Sequence, residues 1–455
     1  MKKKLMPLFI CGLIASAVLT IRVLADETES ATENTAAEDQ TEEEPVEGAS
    51  ATLETKDGYT LEQVVVLSRH NMRAPLSGFG SVLSTVTPHT WFKWTAEPGE
   101  LSLRGGILET EMGQYFRRLL EHEKLIEEDW IPETGQIRFY SNSMQRTIAT
   151  ARYFSAGMLP TANVEIEYHV EVGTMDPVFT PAITFYSQAY DAQVRAEIDA
   201  MAEGGLKGIN ESLSDNYELL ADVIDFEDSE GYKSGEVAAF NSDDTVLNLV
   251  QNSEPTLSGT LNLGNQISDS LLLQYYETED PVKAAFGHKL TEAQWLEIMK
   301  IHEMYDKVLF TAPSVCVNVA HPLLLELQNE LENSSRIFTF LCGHDSNLSS
   351  VLAALGAAPY ELEDSLDQLT PIGTKLVIEK LMGEDGQEYA SLQLIYQSTD
   401  QLRGLTMLDV YDAPCSYILE LEGLDANEDG YYRLDDVMGR LTSAINAYYE
   451  LPEDT

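Results

Sequence analysis

Apolar and polar positions along the chain predict short buried strands that alternate with amphipathic helices. Glu62–Ser68 carries a continuous apolar run, and Leu103–Ile126 has apolar residues at helical spacing. A second strand is predicted at Ile137–Ser143, with a helix at Met144–Met158 directly after it. A further strand is predicted at Val164–Val170. This alternation predicts an α/β fold in which helices cover both faces of a sheet.

The middle of the chain has a different pattern. From Pro181 to about Phe310 long helical segments dominate, for example Leu290–Phe310, and strand patterns are few. Strand patterns return at Arg336–Asn347 and recur three times further on, at Thr374–Leu381, Tyr389–Gln397 and Tyr417–Gly423. A region without strands between two strand-rich regions indicates a helical insertion.

The chain length supports a division into two domains. Its 455 residues exceed what one ordinary hydrophobic core holds. We predict a discontinuous α/β catalytic domain formed by residues 51–180 and 311–455. Residues 181–310 are then an inserted, mostly helical cap domain.

The N-terminal region reads as a targeting segment. Residues 1–25 combine three lysines, an apolar run and the small-residue pattern Val23–Ala25, which predicts a secretory signal peptide cleaved after Ala25. An uncleaved signal that tethers the protein to a membrane is the alternative. Residues 26–50 are rich in Asp and Glu and contain no Lys, Arg or aromatic residue, so we predict a disordered acidic tether.

Charge and cysteine content narrow the possible partners. The formal net charge is −48, which disfavours nucleic acid and anionic membranes as partners. After the signal only Cys316, Cys342 and Cys415 remain, so at most one disulfide can form. Their spacing does not match a zinc framework.

One late segment resembles a calcium-binding loop. Asp425–Asp436 has Asp, Asn, Asp and Gly at the first, third, fifth and sixth loop positions. It ends in Asp436 instead of the usual bidentate glutamate and follows a strand pattern instead of a helix. A turn before the final helix is therefore the favoured interpretation.

The sequence LSRHNMRAPL, at Leu67–Leu76, places a group of cations directly behind an apolar strand. At the carboxyl end of such a strand, side chains face the crevice where ligands bind in open α/β sheets. Arg69 and Arg73 can flank His70 there and offer planar donor groups that suit phosphate oxygens. The alternative is a surface arginine beside a packed histidine.

A second polar group, CGHDSN at Cys342–Asn347, also follows an apolar strand and precedes a helix. His344 and Asp345 could form a metal pair, a base with its orienting carboxylate, or a polar helix cap. On its own this motif favours the helix cap. Together with the first motif, at an equivalent strand-to-helix turn, it predicts one crevice shared by both groups.

The two motifs, RHNMRAP and GHDSN, resemble the paired signature of the histidine acid phosphatases, the exported branch of the phosphoglycerate mutase superfamily. With Asn71 in the first motif, the sequence is similar to the form of this motif in bacterial glucose-1-phosphatases within that family. Further similar segments are LRGGILE, NSMQRTIATA, GTMDPVF, LLLQYYE and TPIGTKLV, in order from Leu103 to Val377. The resemblance implies a phosphoglycerate-mutase-like three-layer α/β/α sandwich with the inserted cap.

The resemblance also implies a role for each matching residue. His70 is the nucleophile that accepts the phosphoryl group, and a neutral imidazole can attack phosphorus without first losing a proton. Arg69, Arg73 and Arg146, the last from SMQRT, are expected to bind the phosphoryl oxygens and stabilise their charge. Arg146 taken alone could equally be a residue of a helix surface.

His344 is implied as a further donor to the phosphoryl oxygens, and Asp345 as the proton donor to the leaving group. A carboxyl group beside a phosphate resists ionisation, so we expect its pKa to rise and the enzyme to work at acidic pH. Glu277, in LLLQYYETED, is expected to gate the pocket against multiply phosphorylated substrates. A solvated glutamate at a helix end is the alternative. No cofactor and no metal are implied.

The predicted function is an exported acid phosphatase that hydrolyses glucose 1-phosphate or similar sugar phosphates through a phosphohistidine. A phytase acting on inositol hexakisphosphate is the first alternative, and a non-catalytic surface protein that binds a phosphorylated ligand is the second. The expected partner is a small phosphorylated substrate, with no membrane contact beyond possible N-terminal tethering. The expected location is extracellular, cell-surface or periplasmic. The low cysteine content departs from the family, whose exported members commonly carry several disulfides.

Overall fold

The computed structural model describes residues 55–76, 81–237, 239–240 and 244–454. The predicted signal peptide, residues 1–25, and the predicted tether, residues 26–50, lie outside the described residues. All described residues belong to one compact unit, Ala49–Thr455. The boundaries proposed above for a cap domain stay a prediction.

Strands and helices alternate at both ends of the described chain, and helices dominate between them. Short 3₁₀ turns lie at Val82–Ser84, Phe226–Asp228 and Tyr448–Glu450. The strands are β1 (Tyr59–Arg69), β2 (Ile137–Ser141), β3 (Val246–Asn248), β4 (Thr256–Ser258), β5 (Phe338–Gly343), β6 (Lys375–Gly383), β7 (Glu388–Tyr396), β8 (Cys415–Ile418) and β9 (Tyr432–Arg433). The helices are α1 (Leu103–His122), α2 (Gln145–Met158), α3 (Gln188–Asp199), α4 (Gly205–Ser212), α5 (Ser214–Val223), α6 (Glu230–Ser234), α7 (Thr260–Glu277), α8 (Pro281–Ala284), α9 (Glu292–Phe310), α10 (Pro313–Glu332), α11 (Asp345–Leu355), α12 (Thr399–Gly404) and α13 (Leu434–Ala447).

The main sheet is mixed and, in the described chain, seven-stranded, with the order β2-β5-β1-β6-β7-β8 and with β9 also paired to β7. β2, β5 and β1 run parallel to one another. β6, β7, β8 and β9 add antiparallel strands on the other side of β1. The parallel half therefore brings the carboxyl ends of β1 and β5 to the same edge of the sheet.

Helices cover both faces of the sheet. Alternate side chains of β1 point to opposite faces and so belong to two different cores. Val64 and Val66 pack into a core shared with α1 and α2. Val65 and Leu67 pack into a second core, shared with α10, α11 and α13. The observed architecture is thus the predicted three-layer α/β/α sandwich.

The segment between α2 and α10 adds no described strand to the main sheet. Its helices form a third core, which also takes in Met72 and Ile372 from the loops beside the strand ends. α10 belongs to two cores, because Val315 and Val319 face the helical segment whereas Leu323 and later residues face the sheet. The helical segment is therefore packed directly over the edge at which β1 and β5 end.

Two strand predictions differ from the structure. Val164–Val170 forms only an isolated bridge between Tyr140 and Glu167. The Glu167 backbone makes hydrogen bonds of 2.8 and 2.9 Å to β2, and its side chain is an ion-pair partner of Arg138. In the segment predicted as Tyr417–Gly423, the strand ends at Ile418. Both segments lie at the edge of the sheet, where pairing on one side supports only a short strand.

The remaining sequence expectations concern cysteines, calcium and membrane spans. Cys316, Cys342 and Cys415 are free thiols. In the calcium-like loop the Asn427 side-chain oxygen accepts hydrogen bonds from the backbone N–H groups of Asp429 and Tyr431, as in a turn. Among the described helices, none alone has the length and apolar character to cross a membrane. The bent pair α9 and α10, with an angle of 80°, passes that test by length and composition only.

Candidate active site

The two predicted polar groups lie side by side at the carboxyl ends of β1 and β5. Arg69, the last residue of β1, pairs in register with Gly343 of β5. The next residues along each chain, His70 and His344, have ring centroids 5.4 Å apart in an edge-to-face arrangement. The prediction of one shared crevice is confirmed by this pairing.

The ring of His70 is held in one orientation. Its Nδ1 lies 2.8 Å from the backbone oxygen of Asn71, and since a carbonyl only accepts, Nδ1 carries the proton. Burial and the nearby cation Arg146 hold the pKa of His70 well below its ordinary value. The ring is therefore neutral and its Nε2 has a free lone pair, which is the form that a nucleophile needs.

A buried ion pair supports this orientation from below. The Lys375 ammonium lies 2.9 and 3.0 Å from the two carboxylate oxygens of Glu109, and both side chains are fully buried. The Asn71 side-chain nitrogen donates to the same carboxylate at 2.7 Å, and its side-chain oxygen accepts from the Met72 backbone N–H. Asn71 is thereby fixed, and with it the carbonyl that orients His70.

Of the three predicted phosphate-binding arginines, Arg69 is the most firmly held. Its Nη2 lies 3.0 Å from Asp345 and its Nη1 2.7 Å from Asp367, and Nη1 also donates to the Thr370 carbonyl. Burial alone would lower the pKa of Arg69, but these carboxylates outweigh it and hold the pKa above its ordinary value. Arg69 is thus a permanent cation at the base of the crevice.

Arg73 and Arg146 are less compensated. Arg73 lies 3.3 Å from Asp269 of α7, whereas no described carboxylate lies within 4.0 Å of the Arg146 guanidinium. Burial, with Arg73 as a like-charged neighbour, lowers the pKa of Arg146 to about 10. A cation that is buried without a counter-ion is a ready site for an anion, and phosphate has the matching geometry.

His344 is oriented by a residue that the sequence analysis did not single out. The Asn142 side-chain oxygen accepts from the Asp176 backbone N–H at 2.8 Å, so its amide nitrogen donates to His344 Nε2 at 2.6 Å. Nδ1 lies 3.3 Å from Arg146 Nη2, and because a guanidinium can only donate, both ring nitrogens face N–H groups. Burial and Arg146 lower the pKa of His344, so the ring beside the crevice is neutral.

Asp345 is the first residue of α11, and its surroundings differ from the expectation. One carboxylate oxygen accepts from the Ser346 backbone N–H at 2.8 Å, and the other pairs with Arg69. Burial alone would raise the pKa of Asp345, but Arg69 outweighs it and holds the pKa well below the ordinary value. The expected rise considered a bound phosphate and overlooked Arg69, whose charge dominates in the structure.

A cavity of about 250 Å³ opens over these residues, between the sheet edge and the helices α7 and α9, and Arg69 alone among the predicted site residues beside it is not in its lining. Glu254 lies on its wall, and burial together with Asp345 raises the pKa of that glutamate. The cavity wall also presents groups that hydrogen-bond readily to hydroxyls. Its lining includes His70, Arg73, Arg146, Met175, Glu254, Asn265, Gln266, Asp269, Ser270, His302, Tyr305, Asp306, His344, Asp345 and Ser346.

The structure does not bring Glu277 to this cavity. Asp269 and Ser270 of α7 line it, whereas Glu277 ends the same helix and is not among the lining residues. Two helical turns, about 11 Å, separate Ser270 from Glu277 along the axis. Glu277 interacts instead with Ser102, and burial raises its pKa. The glutamate among the described lining residues is Glu254.

One group of side chains has the spacing of a metal site in the described part of the chain. His302, Asp306 and Asp345 each offer one ligand atom, and these atoms lie within 4.8 Å of one another. Arg69 lies 3.0 Å from Asp345, so a fixed positive charge already occupies the side that a cation would need to share. The arrangement therefore suits a proton better than a metal ion.

Comparison with known proteins gives the class. The model of the histidine phosphatase superfamily (branch 2) matches residues 60–397. The glucose-1-phosphatase of Providencia rettgeri is 34% identical over 88% of this chain and 96% of its own length. The glucose-1-phosphatase of Salmonella typhimurium is 35% identical over 84% of this chain and 92% of its own length.

Solved structures agree with this match. The phytase of Hafnia alvei in complex with myo-inositol hexakis sulphate superposes with a TM-score of 0.79 at 26% identity, covering 88% of this chain and all of that one (100%). The chain belongs to the histidine phosphatase superfamily, branch 2. It is a histidine acid phosphatase, a phosphoric monoester hydrolase.

Proposed function

We propose that this enzyme transfers the phosphoryl group of a monoester to His70 Nε2 and then to water. The observation that carries the proposal is the neutral His70 ring, whose Nδ1 donates to Asn71 so that Nε2 is free among the arginines. Attack forms the phosphorus–nitrogen bond as the phosphorus–oxygen bond to the leaving group breaks. Water then cleaves the phosphohistidine, which releases phosphate and restores His70.

The charges of the crevice fit such a transfer. Arg69, Arg73 and Arg146 stabilise the charge on the three non-reacting oxygens, and His344 is the further donor to them. Because Arg146 has no carboxylate partner among the described residues, the phosphoryl group itself completes its surroundings. Asp345 delivers the proton that the leaving oxygen needs.

The proposed substrate is glucose 1-phosphate or a similar sugar phosphate. Two relatives at 34% and 35% identity are glucose-1-phosphatases. The cavity wall carries Glu254 and Asp306, whose oxygens suit sugar hydroxyls, and Glu254 in its ionised form repels further phosphates. Activity on inositol hexakisphosphate is the second candidate, because a phytase with the same fold binds its hexasulphate analogue.

Export completes the proposal. The lysines and the apolar run at residues 1–25 are those of a signal peptide, and acidic residues 26–50 would hold the enzyme away from a surface. Sequencing the N-terminus of enzyme recovered from outside the cytoplasm tests this, with Asp26 expected as the first residue. An intact Met1 in the recovered enzyme would contradict cleavage after Ala25.

The substrate proposal is tested with a panel of monoesters at pH 5: glucose 1-phosphate, glucose 6-phosphate, a nucleotide and inositol hexakisphosphate. The wild type is expected to turn over glucose 1-phosphate with the highest kcat/KM, and His70→Ala to lose turnover of every ester. Glu254→Gln removes the carboxyl group, and with it the charge of the ionised form, without changing the size of the side chain. It should raise the kcat/KM ratio of inositol hexakisphosphate to glucose 1-phosphate.

Glu277→Gln is the matched control, because it removes a half-buried carboxyl group outside the cavity. Its substrate ratio should equal that of the wild type. A wild type that prefers inositol hexakisphosphate would establish the phytase alternative. A changed ratio in Glu277→Gln alone would return the gating role to Glu277.

A further inference from the structure

The proposed general acid is a poor proton donor in its observed surroundings. Arg69 lies 3.0 Å from one Asp345 oxygen and a backbone N–H donates to the other, so both contacts favour the carboxylate. A sugar alkoxide needs a proton as it leaves, and a carboxyl group that is kept ionised does not supply one. A second group that holds a proton beside Asp345 would resolve this conflict.

Asp306 is placed for that task. It lies on α9, lines the same cavity and is only 6% exposed. Its Oδ2 is buried and has no hydrogen-bond partner among the described residues. One of its oxygens lies within 4.8 Å of an Asp345 oxygen. An ionised carboxylate that is buried without a partner is costly, whereas a protonated one can donate.

The surroundings of Asp306 contain both signs of charge. His302 faces it from the same helix, one turn earlier, with its Nδ1 2.7 Å from the Asn265 side-chain oxygen. Asp345 faces it from the start of α11, Arg69 from the end of β1 and Asp367 from the loop before β6. Two further carboxyl groups and a phenol belong to the same charged neighbourhood: Asp269 of α7, Glu254 of the loop before β4, and Tyr305 of α9.

The balance of these charges favours the protonated form. Burial and Asp345 raise the pKa of Asp306 to about 7, against the opposing effects of His302 and Arg69. Below that pH the two carboxyl groups together hold one proton, and Asp306 carries it. Two close carboxyl groups in a dehydrated site titrate as a pair, because both cannot ionise cheaply.

We infer that Asp306 and Asp345 act as one carboxyl pair that shares a single proton, with Asp306 the positioning residue that keeps the proton available to Asp345. The inference rests on the proposed phosphoryl transfer to His70. As the phosphorus–oxygen bond breaks, the shared proton passes through Asp345 to the leaving oxygen and both carboxyl groups are ionised. The water that cleaves the phosphohistidine returns a proton to the pair.

The test is the pH dependence of kcat and kcat/KM for Asp306→Asn, which keeps the side-chain size and removes the titrating group. In this variant the proton can rest only on Asp345, whose pKa Arg69 holds low. With glucose 1-phosphate the alkaline fall in rate is expected to move to lower pH by about one unit or more, which is about tenfold in rate at a fixed pH on that limb. All assays contain a chelator, so that a bound cation cannot replace the proton.

An ester that leaves without protonation separates this role from a structural one. With p-nitrophenyl phosphate, Asp306→Asn should keep its rate within about twofold of the wild type, because a nitrophenolate needs little help from an acid. Glu303→Gln is the matched control: Glu303 lies on the same helix, and burial likewise raises its pKa to about 7, but it does not line the cavity. Its pH profile should match that of the wild type.

Two results would overturn the pair. One is an unchanged alkaline limb in Asp306→Asn with glucose 1-phosphate, and the other is an equal loss for both esters. If Asp306→Asn does not fold, Asp306→Glu serves instead, since its longer titrating side chain is expected to keep the alkaline limb at or above its wild-type position; a limb that moves to lower pH there counts against the pair. A wild type without any phosphoenzyme at His70 would refute the proposed function itself, whatever the limb does.

Discussion

Two buried acidic groups flank the nucleophile, and they differ in how completely they are paired. Glu109, beneath His70, contacts Lys375 through both carboxylate oxygens and accepts from Asn71. Asp306, above the crevice, lies beside a second carboxylate, and among the described residues no Lys or Arg nitrogen lies within 4.0 Å of its oxygens. Burial raises the pKa of both, but only Glu109 has a cation in contact to oppose it.

This difference indicates two roles: the Glu109–Lys375 pair fixes the geometry of the nucleophile, and Asp306 holds a proton for transfer. The Glu109–Lys375 pair has one arrangement, and it fixes Asn71 and through Asn71 the tautomer of His70. Asp306 lines the cavity, so its carboxyl group can hold a proton or bind a substrate hydroxyl. A change below His70 should therefore appear first in stability, and a change above it first in rate.

The largest expected effect comes from breaking the closed pair. Lys375→Met or Glu109→Gln leaves one buried group without its partner, and we expect each to cost about 3–5 kcal/mol of unfolding free energy. The double variant removes both charges and should cost clearly less than the sum. Denaturant unfolding of the four proteins measures this coupling. Additive losses would show that the two residues contribute independently.

The next largest effect is expected for Asp345, where the loss should appear in the catalytic rate instead of the unfolding free energy. Asp345→Asn should lower kcat for glucose 1-phosphate about 10² to 10⁴-fold, because the leaving oxygen loses its proton donor. Its unfolding free energy should change far less than in the Lys375 variant, since Asp367 remains paired with Arg69 at 2.7 Å. Steady-state kinetics and denaturant unfolding on the same preparation check both parts. A large stability loss with little loss of rate would reverse the assignment.

A smaller effect concerns stability against pH. Burial raises the pKa of Glu379, on β6, to about 7 although the Ser391 hydroxyl donates to it. Between the pKa of an unfolded glutamate, about 4.3, and that raised value only the folded state holds the proton, so stability falls as pH rises, by up to about 1.4 kcal/mol per pH unit. Glu379→Gln should flatten this slope in unfolding measured from pH 4.5 to 7.5.

The matched control for the pH slope is Glu384→Gln, which changes an exposed glutamate shortly after the same strand. Its slope should equal that of the wild type. A slope in Glu379→Gln as steep as in the wild type would place the proton uptake on other groups.

The strand ends were predictable from the sequence because their signals are local. An apolar run followed by Arg69, His70 and Arg73 specifies a strand and the polar group at its end. The same holds for His344 and Asp345 after β5. Parallel pairing of β1 with β5 then brings the two groups together.

The contacts that tune the site were not predictable, because they join residues far apart in the chain. Asp345 pairs with Arg69, and Asn142 orients His344, across more than two hundred residues in each case. Asp306 and Glu254 carry no motif of their own, and only the packing of the helical segment over the sheet edge places them at the cavity. Glu277 is the opposite case: it lies in a segment similar to the family, but the sequence does not show how far along the helix the cavity reaches.

Trapping the phosphoenzyme tests the role of His70 most directly. Wild type and Asp345→Asn are mixed with substrate carrying labelled phosphate, quenched in alkali within milliseconds, and the labelled peptide is sequenced. We expect acid-labile, base-stable label on His70, with His70→Ala unlabelled. Label on a serine or threonine, or labelling that persists in His70→Ala, would contradict it.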